Sequence, residues 1–388
     1  MALPRLLILS FTDARRDPRV FRQASHLREH YAITLAGFGD PELDGVAFLP
    51  IRRRPKTLLS QGRIALNLLL GNAGPAARRF AFVDPITAEV KTFDLVLVND
   101  AEPLPLGFAL AKGAPVIFDA HEYYPKEFER SFTWRLLFQP YMTKVCATYI
   151  PRCAGMTTVC RGIADAYRSA FGVVPELVFN APAAENLPVN PVVEDCIRLI
   201  HHGAANPDRH IECMLEAMDH LDSRFTLDLY LVGQGNYADA LRSKAETRRN
   251  VAWRDPVPMQ DLSMVSNAYD LGIFLAPPST FNLAHCLPNK FFEFIQARLA
   301  IAIGPSPEMA AIVKKHELGV IADDFTPQAL AAKLNALTVG EIMRYKQNAD
   351  AAAHIFTAEA GMQTLMGVLQ RALAERKGLP LLGAGGIF

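Results

Sequence analysis

The chain has 388 residues, half of them apolar and 21% charged, so it is too long for one ordinary domain and has the composition of a folded, non-fibrous protein. Its 40 Lys and Arg balance its 40 Asp and Glu, which argues against nucleic acid as a main partner, since phosphate binding over a long surface needs clustered positive charge. No uncharged apolar run approaches the ~18 residues of a membrane-spanning helix.

The opening MALPRLLILSF carries Arg5 within a short apolar run and has no small-residue cleavage site after it. It reads as a first buried strand rather than a signal peptide, and a cytoplasmic protein is expected. Short Val/Ile/Leu runs then alternate with longer amphipathic stretches, the pattern of parallel βαβ units. Strands are predicted at 5–10, 32–38, 95–100, 115–120, 155–160 and 176–180, with helices over about 18–30, 104–112, 132–149 and 161–170. Several of these strands are apolar throughout, as when helices cover both faces of a sheet.

Residues 181–195, APAAENLPVNPVVED, are rich in Pro and Ala without a period and read as a linker. The alternation restarts with strands at 196–203, 227–233, 251–255, 271–277, 300–305 and 318–322. Helices fall near 209–220, 236–246, 260–268, from 288 onward and at 307–315. A long helical pattern covers 356–376, and LPLLGAGGIF, 379–388, reads as a loose tail. The organisation is therefore α/β: an N-terminal Rossmann-like domain over 1–185, a second over 190–355, and a C-terminal helix and tail over 356–388. The six cysteines, at 146, 153, 160, 196, 213 and 286, show no CxxC pair and no Cys/His cluster. Reduced core thiols are expected, with no disulfide and no bound metal.

Open α/β sheets bind ligands at the carboxyl ends of their strands, so the loops there are where chemistry is sought. LPNKFFEF, 287–294, follows a strand and a polar loop and opens a helix. With Pro288 suited to the first turn, the free N–H groups after Leu287 and the Lys290 ammonium converge on a place that favours phosphate. Asn289 belongs to the same turn, and Glu293, one helical turn on, can accept from a ribose diol. The alternative is a capped surface helix with a Lys/Glu pair. HHGAANPDRH supplies Gly203 and Arg209, a cation near a helix start that opposes the dipole and calls for an anion, unless it is simply exposed. Gly233 in LVGQG allows close backbone approach or marks an ordinary turn. Trp253, Arg254 and Asp255 follow another strand.

In the first half, His121 and Glu122 lie just past a strand end, and a neutral histidine there can donate to a hydroxyl or a phosphate oxygen. Asn99 and Asp100 end another strand, where a capping turn is the competing reading. In TDARRDPRVF, Asp17 and Pro18 start a helix, and Arg16 and Arg19 flank them.

The 287–294 segment resembles the donor site of the retaining glycosyltransferases of family four (glycosyl transferases group 1), whose pattern at this turn is Glu, seven residues, Glu. Glu293 matches the second Glu, and His285 stands where the first would be. A PE-M-IV segment, Pro307, Glu308, Met309, Ile312 and Val313, resembles one found in the same broad family. The resemblance implies a GT-B fold: two Rossmann-like domains facing across a cleft, with a C-terminal helix returning toward the N-terminal domain. It implies a nucleoside diphosphate sugar as donor substrate, with no further cofactor and no metal. Lys290 and Arg209, with Gly203 beside them, would neutralise the diphosphate, and Glu293 would hold the ribose. The 253–255 region would border the base, and His285 would stand at the donor sugar. His121, with Glu122, would orient that sugar, while Arg16, Asp17, Arg19 and Asp100 would face the acceptor.

The expected activity is hexosyl transfer to a glycan or lipid-linked acceptor, retaining, in bacterial surface polysaccharide or glycolipid assembly. An epimerase or hydrolase of the same fold, or a silent nucleotide-sugar binding protein, is the alternative, because His285 breaks the glutamate pair. Residues 51–80 hold Arg52, Arg53, Arg54, Lys56, Arg63, Arg78 and Arg79 and no acidic residue, around an apolar IALNLLL. They read either as a segment resting on the anionic inner face of the plasma membrane, or as a solvated basic loop with a core helix.

Overall fold

The structure is a computed structural model that describes residues 2–52, 92–258 and 261–378. Most of the basic segment 51–80 and the tail 379–388 lie outside the described residues. The chain divides into two compact units, Met1–Val178 with Met362–Phe388, and Phe179–Gly361.

Seven strands form the sheet of the first unit: β1 (Arg5–Leu9), β2 (Ala32–Gly37), β3 (Val46–Pro50), β4 (Leu95–Asn99), β5 (Val116–Ala120), β6 (Gly155–Thr158) and β7 (Glu176–Leu177). All pairings are parallel, in the order β3-β2-β1-β4-β5-β6-β7. Every residue of β4 and β5 is buried, as the uninterrupted apolar runs require of strands with helices on both faces. β3 was not expected. It is an edge strand with no fully buried residue, although VAFLP is apolar throughout.

Helix Pro18–Leu27 starts where Asp17 caps it, the carboxylate accepting from the N–H groups of Arg19 and Val20. The expected helix over 132–149 is broken into a π-helical turn, Trp134–Phe138, and an α-helix, Gln139–Tyr149. Pro140 has no N–H to donate back to Leu136, and the backbone register shifts around it. From Met362 onward, helix Ala358–Arg376 belongs to the first unit. Met362, Leu365, Val368, Leu369 and Ala372 share a core with Leu6, Ile8, Leu95 and Leu97, the spacing of one helical stripe. A Cβ at Gly155 would sit 2.5 Å from Val368 Cγ1, so only glycine lets this helix lie against the start of β6.

The second unit has six parallel strands: β8 (Ile197–Ala204), β9 (Phe225–Val232), β10 (Val251–Arg254), β11 (Leu271–Phe274), β12 (Ala300–Ile303) and β13 (Gly319–Ile321), in the order β10-β9-β8-β11-β12-β13. Both sheets place their first strand centrally and reverse direction of growth beside it, the doubly wound arrangement. Helices Phe281–Ala284, Pro327–Asn335 and Val339–Ala353 were not anticipated. The last carried a readable signal, because Thr338 and Glu341 form a reciprocal capping box. The helix placed at 260–268 spans Leu262–Ser266. All six cysteines are free, but only Cys146 and Cys160 are buried, and Cys196 is exposed. Among the described residues, no group of three or more His, Cys, Asp and Glu is placed to hold a metal.

Candidate functional site

In the second unit, β8 ends in two buried histidines that sit among apolar neighbours. His201 Nδ1 lies 2.9 Å from the Ile273 carbonyl oxygen. An oxygen acceptor fixes the proton on Nδ1 and leaves Nε2 as a lone pair, and Lys290 Nζ lies 3.1 Å from that nitrogen. Burial, together with the Lys290 charge, holds the His201 pKa well below the ordinary histidine range. The imidazole is thus a neutral acceptor.

Lys290 extends from the first turn of helix Asn289–Gln296. Its ammonium lies 5.2 Å from the centroid of the Phe274 ring, and the Arg209 guanidinium lies 5.8 Å from the same centroid. Arg209 Nη1 also donates to Cys286 Sγ at 3.6 Å, a thiol whose pKa burial raises. Burial and then Arg209 lower the Lys290 pKa to about 7. Two cations therefore meet over one aromatic face, held by an imidazole and a thiol that carry no charge. Gly203 makes this possible: a Cβ there would stand 3.1 Å from Lys290 Nζ, and φ is +121°, a region L side chains rarely enter.

Pro288 is not in the first helical turn as expected. It occupies the N-cap position in an extended conformation, and the helix begins at Asn289. A proline that cannot donate suits the residue just outside the first turn equally well. Asn289 Oδ1 accepts from Asn180 Nδ2 at 2.6 Å, and Leu287 is buried. Glu293 is only 7% exposed, with Oε2 3.6 Å from His202 Nε2. That nitrogen is buried without a hydrogen-bond partner, and burial, with Lys290, lowers the His202 pKa to about 3. His285 does not stand alone: Nδ1 lies 2.9 Å from Glu308 Oε1, and its ring packs 4.6 Å from that of Phe281.

Gly233 sits against Ala205 in the loop after β8, which brings the Gly203–Arg209 and LVGQG turns together. Arg254 is exposed, its Nε donating to Asp228 Oδ2 at 2.8 Å, an oxygen that also accepts from the Tyr269 hydroxyl at 2.6 Å. Asp255 is exposed. Sequence reasoning missed His201 and His202. Their signal was a pair of histidines closing a mostly apolar run, IRLIHH.

The first unit gathers a different cluster. Asp119, fully buried in β5, accepts from Arg19 Nη2 at 2.6 Å and Nε at 2.7 Å, from Gln23 Nε2 at 2.7 Å and from Thr157 Oγ1 at 2.6 Å. Arg19, expected on an open face, is 4% exposed and also donates from Nη1 to the Val178 carbonyl. Arg16 is exposed, and Asp17 is the helix cap.

His121 was expected neutral with a nitrogen to offer. Instead Nδ1 lies 3.1 Å from Asp100 Oδ1 and Nε2 lies 3.5 Å from Asp119 Oδ2, and Nε2 is buried. Burial alone would lower its pKa, but the Asp100 and Asp119 carboxylates prevail and raise it. Asp100 has φ +71° and also accepts from the Tyr124 hydroxyl. Asn99 donates to Gln23. Glu122 is exposed, its carbonyl accepting from the Tyr167 hydroxyl at 2.8 Å.

Residues 197–338, which span all six strands of the second sheet, match the family described as Glycosyl transferases group 1. Over that stretch the second unit is similar to the glycosyl transferases of group 1. No curated protein matches the chain. Among solved structures, Anabaena HepE in complex with UDP is similar, with TM-score 0.68 and 13% identity, covering 94% of this chain and 99% of that one. Sucrose-phosphate synthase from Thermosynechococcus elongatus gives TM-score 0.68 at 11% identity, covering 96% and 100%. A glycosyltransferase from Rickettsia africae gives 0.66 at 12%, covering 96% and 99%. At such identities the likeness is one of fold, and the fold is GT-B, with two Rossmann-like domains.

Proposed function

We propose that this chain moves a hexosyl unit from a nucleoside diphosphate sugar to a glycan or lipid-linked acceptor, with retention and without a metal, in bacterial surface polysaccharide or glycolipid assembly. The observation that carries the reading is the pair of cations Lys290 and Arg209 at the carboxyl end of β8, neither in contact with a carboxylate. Buried cations normally have carboxylate partners. Lys290 and Arg209 are half-buried and touch a neutral imidazole and a thiol, with Glu293 acting on Lys290 from further off, so their charge is available to an anion, and the N-terminus of helix Asn289–Gln296 adds its dipole.

In the proposed reaction the acceptor hydroxyl oxygen bonds to the anomeric carbon as the bond from that carbon to the diphosphate oxygen breaks. The hydroxyl proton passes to the departing phosphate on the same face. Negative charge grows on the leaving diphosphate, and Lys290 and Arg209 stabilise it in the transition state. Glu293 takes the ribose hydroxyls. His285, set by Glu308, is assigned to the sugar side. The His121 geometry gives that residue an internal part rather than sugar contact. UDP is the first nucleotide to test, because the Anabaena HepE structures hold UDP and UDP-glucose.

Titration calorimetry of the full chain with UDP and with uridine tests this reading. Lys290→Ala should weaken UDP binding on the order of 10- to 100-fold, the worth of a hydrogen bond to a charged group, and leave uridine binding within about threefold. The wild-type affinity for UDP should also fall as pH rises through about 7, because the neutral amine no longer pairs with phosphate. Equal losses for UDP and uridine remove the phosphate role. Turnover of UDP-sugars with no acceptor present would replace transfer by hydrolysis.

A further inference from the structure

The two neighbouring histidines of β8 point to opposite faces of their sheet, as successive residues of a strand do, and each faces one residue of helix Asn289–Gln296. His201 presents a bare Nε2 to the Lys290 ammonium at 3.1 Å. On the other face, His202 presents Nε2 to Glu293 Oε2 at 3.6 Å. His202 is 1% exposed, and its ring stands edge-on to that of Phe294, with 5.1 Å between centroids. Phe294 lies against β11 where Gly272 leaves room, since a Cβ there would come within 2.3 Å of the ring. The imidazole is thus packed in place by the same helix whose carboxylate it faces.

A lone pair set against a carboxylate oxygen is repelled, so the His202 proton belongs on Nε2, the tautomer opposite to that of His201. Burial, with the Lys290 charge, keeps the ring neutral, and what faces Glu293 is an uncharged N–H donor. At 3.6 Å it stands just beyond hydrogen-bond reach. Among the described residues Nε2 has no hydrogen-bond partner. A buried N–H left in that condition is costly, and an apolar side chain of similar volume would escape the cost. Packing therefore accounts for the ring but not for its nitrogen, and the group that the nitrogen faces is the carboxylate assigned to the ribose.

We propose that His202 is the positioning residue of Glu293, a role that rests on Glu293 being the ribose acceptor: Nε2–H closes onto Oε2 as a nucleotide binds, and so selects a ribose that carries both of its hydroxyls. The closure is small, about 0.6 Å from the observed separation to an ordinary N–H···O length of ~3.0 Å. A carboxylate offers about four lone-pair positions. With one of them taken by the imidazole, the group is fixed in rotation, and the others are left for the two hydroxyls of a cis diol. A sugar without those hydroxyls leaves the same lone pairs unmet at a site that is only 7% exposed, and is rejected for that reason. Lys290 and Glu293 are then each oriented by one of two adjacent histidines in opposite tautomers.

The test is titration calorimetry of the full chain with UDP and with its dideoxyribose analogue, which lacks both ribose hydroxyls, comparing wild type, His202→Phe and His202→Gln. Phenylalanine fills the place of the ring without a donor, and the glutamine amide restores an N–H at the reach of Nε2. Wild type should prefer UDP at least ~10-fold, the worth of a hydrogen bond to a charged group. His202→Phe should lower that preference by about three- to tenfold and leave binding of the analogue within about threefold of wild type, whereas a packing role alone would weaken both nucleotides alike. His202→Gln should recover the preference to within about twofold of wild type. A preference undiminished in His202→Phe, or equal loss of both nucleotides, overturns the proposal and leaves the proposed function standing. Wild type that binds neither nucleotide removes the proposed function and the His202 role with it, and equal wild-type affinity for the two removes the ribose role of Glu293 and that of His202 together. A second measurement needs no nucleotide: nitrogen NMR of histidine-labelled wild type, with His202 identified by the signal missing from both variants, should show a neutral ring protonated on Nε2. A proton on Nδ1 overturns the proposal whatever the variants do.

Discussion

In the first unit the Arg19 guanidinium grips both oxygens of Asp119, and Gln23 and Thr157 complete the carboxylate. In the second, Lys290 meets a neutral imidazole and a ring face, with another cation beside it. Both clusters sit at the carboxyl ends of central strands and both are built from residue types that suggest chemistry. The difference is closure. Around Asp119 each buried charge has an opposite charge beside it, even though His121 Nε2 and Asn99 Oδ1 are buried without a hydrogen-bond partner, so the cluster ties helix Pro18–Leu27 to β5 and β6. Around Lys290 two cations meet with no carboxylate in contact, and under the proposed function that charge is what the diphosphate meets.

The comparison breaks most visibly if the closed cluster is opened. Asp119→Ala leaves the Arg19 guanidinium buried and unpaired, and should cost about 3–5 kcal/mol of stability in urea unfolding. Lys290→Ala, which relieves two like charges, should cost little or nothing by the same measure. At a temperature where Asp119→Ala is folded, its UDP affinity should stay within about twofold of wild type, since the two clusters share no residue. A stability loss as large for Lys290→Ala would mean that the second cluster, too, is architectural.

Much of this architecture was legible beforehand, because LVLVN and VIFDA are buried on both faces and so carry no polar alternation to confuse them. The half-exposed edge strand VAFLP was not, and neither were helices Pro327–Asn335 and Val339–Ala353, whose Ala-rich faces give weak periodicity. At the site, Lys290 and Glu293 were found from their place one turn apart at a strand-to-helix turn. His201 was not, since its function depends on which backbone carbonyl orients it, and Ile273 is 72 residues away. His121 and Arg19 were read from their positions at element ends, which fix where a side chain starts but not that both are directed inward onto Asp119.

A smaller effect sharpens the other side of the contrast. If His201 positions Lys290 as a neutral acceptor, His201→Phe, which keeps the ring stacked near Phe274, should weaken UDP binding roughly tenfold, the worth of one such hydrogen bond. His201→Gln can donate to the Ile273 carbonyl and accept from Lys290, and should recover affinity to within about threefold of wild type. Calorimetry at fixed pH, with unfolding temperatures measured alongside, separates this from a loss of packing. If the two variants bind UDP alike, the imidazole does not position the lysine.

The smallest effect belongs to His121, and its sign follows from the two carboxylates that face it. Asp100 and Asp119 raise its pKa in the folded chain above the ordinary 6.5, despite burial and despite Arg19. A raised folded pKa means that the imidazolium contributes its stability in full below pH about 6.5. The contribution is lost as pH rises through the folded value. Asp119 titrates in the opposite window: its pKa is lowered, so its contribution is present above the usual carboxylate range and is lost as pH falls. Lys290, its pKa lowered to about 7, contributes in the opposite sense above that pH in wild type and variant alike, so the test is the difference: relative to His121→Gln, wild type should lose stability in urea unfolding on the alkaline side of pH 6.5, with the acid limb shared. An unchanged alkaline slope would mean that His121 is not the cation between those carboxylates, and would free its nitrogens for the sugar contact that its position at the end of β5 first suggested.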